Sequence, residues 1–219
     1  MTAEPLTFDA ATHRYTKGER RVYSVTQVID RGGLGADFSM VPEARMREAT
    51  QRGRWVHDAV QFLDEGDLDD ATVPGHIAGY VEAYRSFRGD TGYEPIACEV
   101  RLYSPTYGYA GTPDKIGWLG PWRILLDVKT PLSLAAGPVL LQLAAYEHLW
   151  REAHPKETLD LRTLQLRPNG TYKLRPLDTG LAWRVFQLAL VKVRGERPLT
   201  IPEELMLLDY QDTYGRAKV

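Results

Sequence analysis

The feature that most constrains this chain is the run Trp122–Lys129, W-R-I-L-L-D-V-K, in which aliphatic residues surround one aspartate and one lysine. It is too short for an ordinary helix and well suited to a strand. Side chains alternate along a strand, so Asp127 and Lys129 share one face while Ile124, Leu126 and Val128 share the other. Gly120-Pro121 marks a reversal before it, and Tyr107 to Leu119 reads as the preceding strand, interrupted by glycines and Pro113. With the turn centred between Gly120 and Pro121, antiparallel pairing places Asp114 directly across from Asp127; a loop with an odd number of residues would break this register.

Like charges facing each other across a strand pair are destabilising unless something neutralises them. A hard divalent cation with oxygen ligands would do so. Lys129 reaches the same space and can offer its ammonium to a phosphate oxygen or to an attacking water. Carboxylates for a metal and a lysine for the substrate anion suit phosphodiester hydrolysis. Taken alone, D-x-K on a strand is more often a solvated ion pair, so the surrounding sequence decides its meaning.

Residues 43–65 predict a helix opened by Pro42, with Met46, Ala49, Gly53, Val56, Val60 and Leu63 as its apolar stripe and His57 at the border. A glycine inside a helix costs about 1 kcal/mol relative to alanine, so Gly53 predicts a close approach to the backbone. Arg45, Arg47, Arg52 and Arg54 cluster on the same helix, either as a phosphate-binding edge or as a solvated surface. A second helix covers about 76–88, and the acidic segment Asp64 to Asp70 between the two reads as solvated linker. The helix expected from Pro138 to Ala153 puts Gln142 and Tyr146 on one face, with Leu141, Ala145 and Leu149 on the buried side.

An N-terminal β-hairpin is expected near Leu6 to Tyr23, turning at Lys17-Gly18, then a short helix opening at Ser24 and a glycine-rich loop from Arg31 to Ala36. Strands at Leu159 to Leu166 and Tyr172 to Leu177 are joined by Pro168-Asn169-Gly170, and Leu181 to Val193 predicts a closing helix with Trp183, Phe186 and Leu190 in the core. From about Gln211 the chain is polar and expected to be disordered. The fold class is α/β, a central mixed β-sheet flanked by helices on both faces with an N-terminal β-hairpin and helical elaboration.

At 219 residues and 43% hydrophobic content, one domain with ample core is expected, its N-terminal hairpin and helices at about 6–90 and its core at about 95–195. The net charge of −2 does not advertise a polyanionic partner, although acidic site residues can mask a local basic groove. Cys98 is the only cysteine, which excludes an intramolecular disulfide and any cysteine-rich metal site. No apolar run resembles a signal peptide or a membrane span, so a cytoplasmic location is expected.

Together these elements resemble the PD-(D/E)XK nuclease superfamily, and within it the RecB-like, phage-type exonucleases. The matching elements are G-x-x-x-H at Gly53 to His57, Glu99, G-T-P-D ending at Asp114, D-V-K-T from Asp127 to Thr130, and Q-x-x-x-Y from Gln142 to Tyr146. The opening Tyr23-Ser24-Val25-Thr26-Gln27-Val28-Ile29 also looks like that of many phage members, so the resemblance covers most of residues 6 to 150. It implies a restriction-endonuclease-like core and one or two Mg²⁺ or Mn²⁺ ions held by Asp114, Asp127 and the Val128 carbonyl, with His57 completing or supporting the site. It further implies that Lys129 positions or activates the water, that Glu99 supports the metal site, and that Gln142 and Tyr146 line the substrate groove beside Arg52 and Arg54. Some relatives carry an iron–sulfur cluster on four cysteines, which this chain cannot build. The implied substrate is linear DNA attacked from its ends, giving 5′-phosphate and 3′-hydroxyl products in phage or bacterial recombination, repair or replication. A phage-encoded member would act in the bacterial host cell, and a single-strand annealing or recombination protein is an open second partner. Two alternatives stand: a structure-selective endonuclease of the same superfamily, and a non-catalytic DNA-binding recombination or packaging protein.

Overall fold

A computed structural model describes residues 4–10, 12–130 and 136–215. The chain begins with strands β1 (Leu6–Asp9), β2 (Arg14–Lys17) and β3 (Arg20–Ser24), followed by helices α1 (Val25–Arg31), α2 (Glu43–Glu65) and α3 (Gly75–Thr91). Strands β4 (Glu94–Cys98), β5 (Leu102–Tyr103), β6 (Tyr109–Gly111), β7 (Lys115–Leu119) and β8 (Trp122–Lys129) come next, then α4 (Ala136–Ala153). The remainder is β9 (Asp160–Leu166), β10 (Tyr172–Pro176), α5 (Ala182–Arg194) and α6 (Ile201–Tyr210).

The expected central mixed sheet is present, in the order β10-β9-β8-β7-β4, with β8 and β9 parallel and the other neighbours antiparallel. Alternation along β8 assigns its faces. Ile124, Leu126 and Val128 pack with Val56, Val60, Tyr84 and Phe87 of α2 and α3. Leu125 packs on the opposite face with Leu141, Leu149 and Phe186 of α4 and α5. The β7–β8 register is the expected one, Leu119 opposite Trp122 and Lys115 opposite Leu126, because Gly120 adopts φ 58° in the tight reversal, a conformation that favours glycine.

The expected N-terminal hairpin is present as β2 and β3, turning after Lys17; β1 adds a third strand to it, and the three join β6 and β5 in a second five-stranded sheet. Three expectations are corrected. The single strand expected from Tyr107 to Leu119 is two strands in different sheets, since Pro113 has no N–H for a continuous ladder. In α2 the apolar stripe is shorter than expected: Val56, Ala59 and Val60 are buried, whereas Met46 and Ala49 are only partly covered. Beyond α5 lies α6, which buries Leu207 and Tyr210, and Gln211–Gly215 continues it as a wide helical turn where disorder was expected; the rest of the expected tail, residues 216–219, lies outside the described residues. Among the described residues no helix is long and apolar enough to cross a membrane.

Candidate active site

Asp114 stands just before β7, one step beyond the last paired residue, and so falls opposite Asp127. Its Oδ2 accepts a hydrogen bond from the Val128 amide at 2.8 Å, and its own carbonyl accepts from the Glu99 amide at 3.0 Å. Glu99 adopts φ 50°, the left-handed region that side chains with a Cβ seldom occupy, at the point where the chain leaves β4. His57 approaches from α2 on the other face of β8. Its Nε2 lies 3.1 Å from the Val128 carbonyl, and because a carbonyl only accepts, that nitrogen carries the proton. The lone pair of Nδ1 then faces Asp114 Oδ2 at 3.8 Å and Glu99 Oε1 at 4.0 Å.

One ligand atom from each of His57, Glu99 and Asp114 lies within 4.8 Å of the others. Glu99, expected to support the site, is thus one of the three residues brought together. Burial, reinforced by the Asp114 charge, pushes the Glu99 carboxyl up to about 7. A carboxyl of this kind is strained when ionised and would be relieved by a cation.

Asp127 is 1% exposed, and its Oδ1 accepts from Lys129 Nζ at 2.7 Å. Its Oδ2 is buried without a hydrogen-bond partner among the described residues. An unsatisfied buried carboxylate oxygen costs free energy, which a hard divalent ion would offset; Asp127 does not itself fall within the close group formed by His57, Glu99 and Asp114. Burial raises the Asp127 pKa against the opposing charge of Lys129, and Asp114 adds to the rise. Burial works against the Lys129 ammonium, but Asp127 and Asp114 outweigh it and raise its pKa.

Gln142 and Tyr146 reach Lys129 through α4. Lys129 Nζ donates to Gln142 Oε1 at 3.5 Å, and Gln142 Nε2 donates to the Tyr146 hydroxyl at 3.2 Å. Tyr146 is buried against Gly111, where an added Cβ would lie 2.6 Å from its ring and 2.9 Å from Val25. Gly111 is therefore required by close approach, whereas among the described residues an added Cβ at Gly53 would meet nothing nearer than Thr130 Oγ1 at 3.9 Å. The close contact expected at Gly53 is not found among the described residues. Arg52 and Arg54 are not drawn into the cluster: the Arg52 guanidinium lies 6.0 Å from the Tyr80 ring centre, and Arg54 is exposed.

Two features were missed from sequence. The N-terminal sheet walls the site, with the Tyr15 hydroxyl hydrogen-bonded to Thr112 and a cavity of about 280 Å³ lined by Tyr15, Ser24, Glu99, Thr112 and Tyr146. Behind the cluster, the Asp64 side chain is 2% exposed and accepts from Lys115 Nζ at 2.5 Å, with Tyr84 and Arg88 as further donors. Asp64 was expected in solvated linker, and the structure corrects this. Lys115 is itself 3% exposed, and an ammonium so enclosed requires a counter-charge. The pair ties α2 to the residue after Asp114, while Cys98, the residue before Glu99, lies 3.6 Å from Lys115 Nζ.

In overall fold the chain is similar to the "Putative exonuclease" from Eubacterium rectale, with 15% sequence identity over 84% of this chain and 87% of that one and a TM-score of 0.52. The alkaline exonuclease LHK-Exo from Laribacter hongkongensis matches at 13% identity over 88% and 93% of the two chains, TM-score 0.44. Its complex with dAMP matches at 14% identity over 88% and 92%, TM-score 0.35. No protein-family model and no curated protein matches the sequence. At 15% identity the likeness to the Eubacterium rectale protein establishes a shared fold.

Proposed function

We propose that the protein is a metal-dependent deoxyribonuclease that hydrolyses phosphodiester bonds from the ends of linear DNA, in phage or bacterial recombination, repair or replication. The observation that carries this reading is the convergence of His57, Glu99 and Asp114, with Asp127 opposite Asp114 across the strand pair, its Oδ2 buried and unsatisfied among the described residues and its Oδ1 held by the Lys129 ammonium. A binding module has no use for carboxylates that repel phosphate, whereas a hydrolase needs them. The resemblance of the motifs to RecB-like exonucleases supports attack from ends and 5′-phosphate products.

In this reading Asp114, Asp127, Glu99 and His57 hold one or two Mg²⁺ or Mn²⁺ ions, with the Val128 carbonyl as a further oxygen at the site. When bound, such an ion polarises a phosphate oxygen and lowers the pKa of the attacking water. Lys129 keeps its proton and presents it to the substrate phosphate or to the water, held in place by Asp127 and Gln142. Tyr146 fixes Gln142 and so acts through it. His57 donates through Nε2 to the Val128 carbonyl, which leaves Nδ1 facing the Asp114 and Glu99 carboxylates, where it would serve as a nitrogen ligand. Arg54, exposed on α2, and the half-buried Arg52 serve as phosphate contacts.

The test is a time course with purified protein and Mg²⁺ or Mn²⁺ on end-labelled linear DNA and covalently closed circles. Loss of linear DNA with intact circles is expected. Nicked circles would instead assign an endonuclease using the same residues. Asp114→Ala or Lys129→Ala is expected to abolish cleavage while the protein stays folded.

A further inference from the structure

We propose that a basic pocket on the N-terminal sheet, built by Lys17, Arg20 and Arg21 with Tyr103, is a second contact site for the phosphate backbone of the DNA; it rests on the nuclease reading above. The pocket encloses about 740 Å³ between β2, β3, β5, the turn at Pro105–Gly108 and the end of α5. Lys17, Arg20, Arg21 and Arg194 line it, against two carboxylates, Glu4 and Glu196. Glu196 is taken by Arg194 at 2.8 Å, and Glu4 lies against Gly18, where an added Cβ would meet its carboxyl at 2.7 Å. Arg20 and Arg21 are exposed and form no ion pair among the described residues. The Lys17 ammonium sits 5.2 Å from the Tyr103 ring centre, and the register places Lys17 directly opposite Arg20.

Like charges facing each other across a strand pair oppose hairpin formation, and no ion pair among the described residues offsets this one. Three cations against one carboxylate, in a chain whose net charge is −2, form a local positive field suited to an anion. Several cations spread along a hairpin suit successive phosphates of a polymer better than one compact anion, and Tyr103 adds a ring and a hydroxyl of the kind that contact nucleic acid backbones and bases.

The pocket is separate from the cluster but within reach of the same strand. Gly108 at its rim and Asp114 are six positions apart in sequence, so no more than about 20 Å separates them. Phosphates along one strand of a duplex repeat at about 3.4 Å along the axis, which puts the rim of the pocket at most about six nucleotides from the scissile bond.

The test is equilibrium binding of fluorescent linear duplex in Ca²⁺ over a salt series, comparing wild type with the Lys17→Ala/Arg20→Ala/Arg21→Ala variant. Each lost phosphate contact flattens the slope of log affinity against log salt by about 0.9, so a change of about 2 to 3 is expected. KM for long duplexes in Mg²⁺ should rise at least tenfold, and the difference should vanish on duplexes too short to span the distance. Arg20→Lys/Arg21→Lys should retain the wild-type slope, which separates lost charge from altered folding. An unchanged slope in the triple variant, with wild type cutting DNA normally, overturns the pocket alone, as does an equal loss on short and long duplexes. A wild type that neither binds nor cuts DNA overturns the pocket and the nuclease reading together.

Discussion

Replacing Glu99 with glutamine should remove activity and at the same time stabilise the metal-free protein at alkaline pH. Glu99 titrates near 7 in the folded chain against an ordinary value of 4.5, so the folded state holds its proton more tightly than the unfolded state. Stability is then lost as pH rises through the window from about 4.5 to 7. A fully enclosed carboxyl with this displacement would carry about 3 kcal/mol, but the Glu99 side chain is 44% exposed, and solvent screening reduces the figure to about 1 kcal/mol. For a chain of this length that is a rise in Tm of about 2–4 °C. The assay is thermal unfolding in chelator at pH 5 and pH 8: Glu99→Gln should match wild type at pH 5 and exceed it at pH 8. Adding Mn²⁺ at pH 8 should reverse the order, because only the wild type gains the ion's full binding energy. A difference that does not change with pH, or a variant less stable at pH 8, would refute the reasoning.

Asp64→Ala should cost about 3–5 kcal/mol, because it leaves the Lys115 ammonium buried without its partner; a loss below about 1 kcal/mol by urea unfolding would contradict the role given to the pair. Gly111→Ala should destabilise by about 1–3 kcal/mol and lower kcat, since the new methyl group displaces Tyr146 and through Gln142 the lysine; unaltered kcat in a folded variant would break that chain of contacts. Apparent metal affinity should increase as pH rises toward and through 7, as Glu99 ionises, and flatten above it; calorimetric titration with Mn²⁺ at several pH values reads this directly.

The parts legible in the sequence were those fixed by local rules. Gly120-Pro121 pins the β7–β8 register, and with it Asp114 opposite Asp127. Pro42 and Gly66 bound α2, with Gly66 at φ 78° closing it. What stayed hidden depends on distant partners. Asp64 looks like one more carboxylate in an acidic run because Lys115 lies 51 residues away. The second sheet is assembled from strands as short as two residues, too brief for alternation to register. Helix α6 did carry a local signal, Thr200 and Glu203 as a capping box with proline in its first turn, but its apolar residues are largely exposed and blur the amphipathic pattern. Glu99 was legible as an acidic residue near the site, but its ligand-like place follows from a left-handed backbone turn that the sequence does not announce.

The most direct measurement is the rate of nucleotide release from end-labelled linear duplex as a function of Mn²⁺ and Mg²⁺, for wild type and Asp114→Asn. Release should saturate with metal, stop in chelator, and be abolished in the variant while circular dichroism shows the fold retained. Cleavage that persists without metal, or proceeds undiminished in Asp114→Asn, would contradict the assignment of this cluster as the catalytic centre.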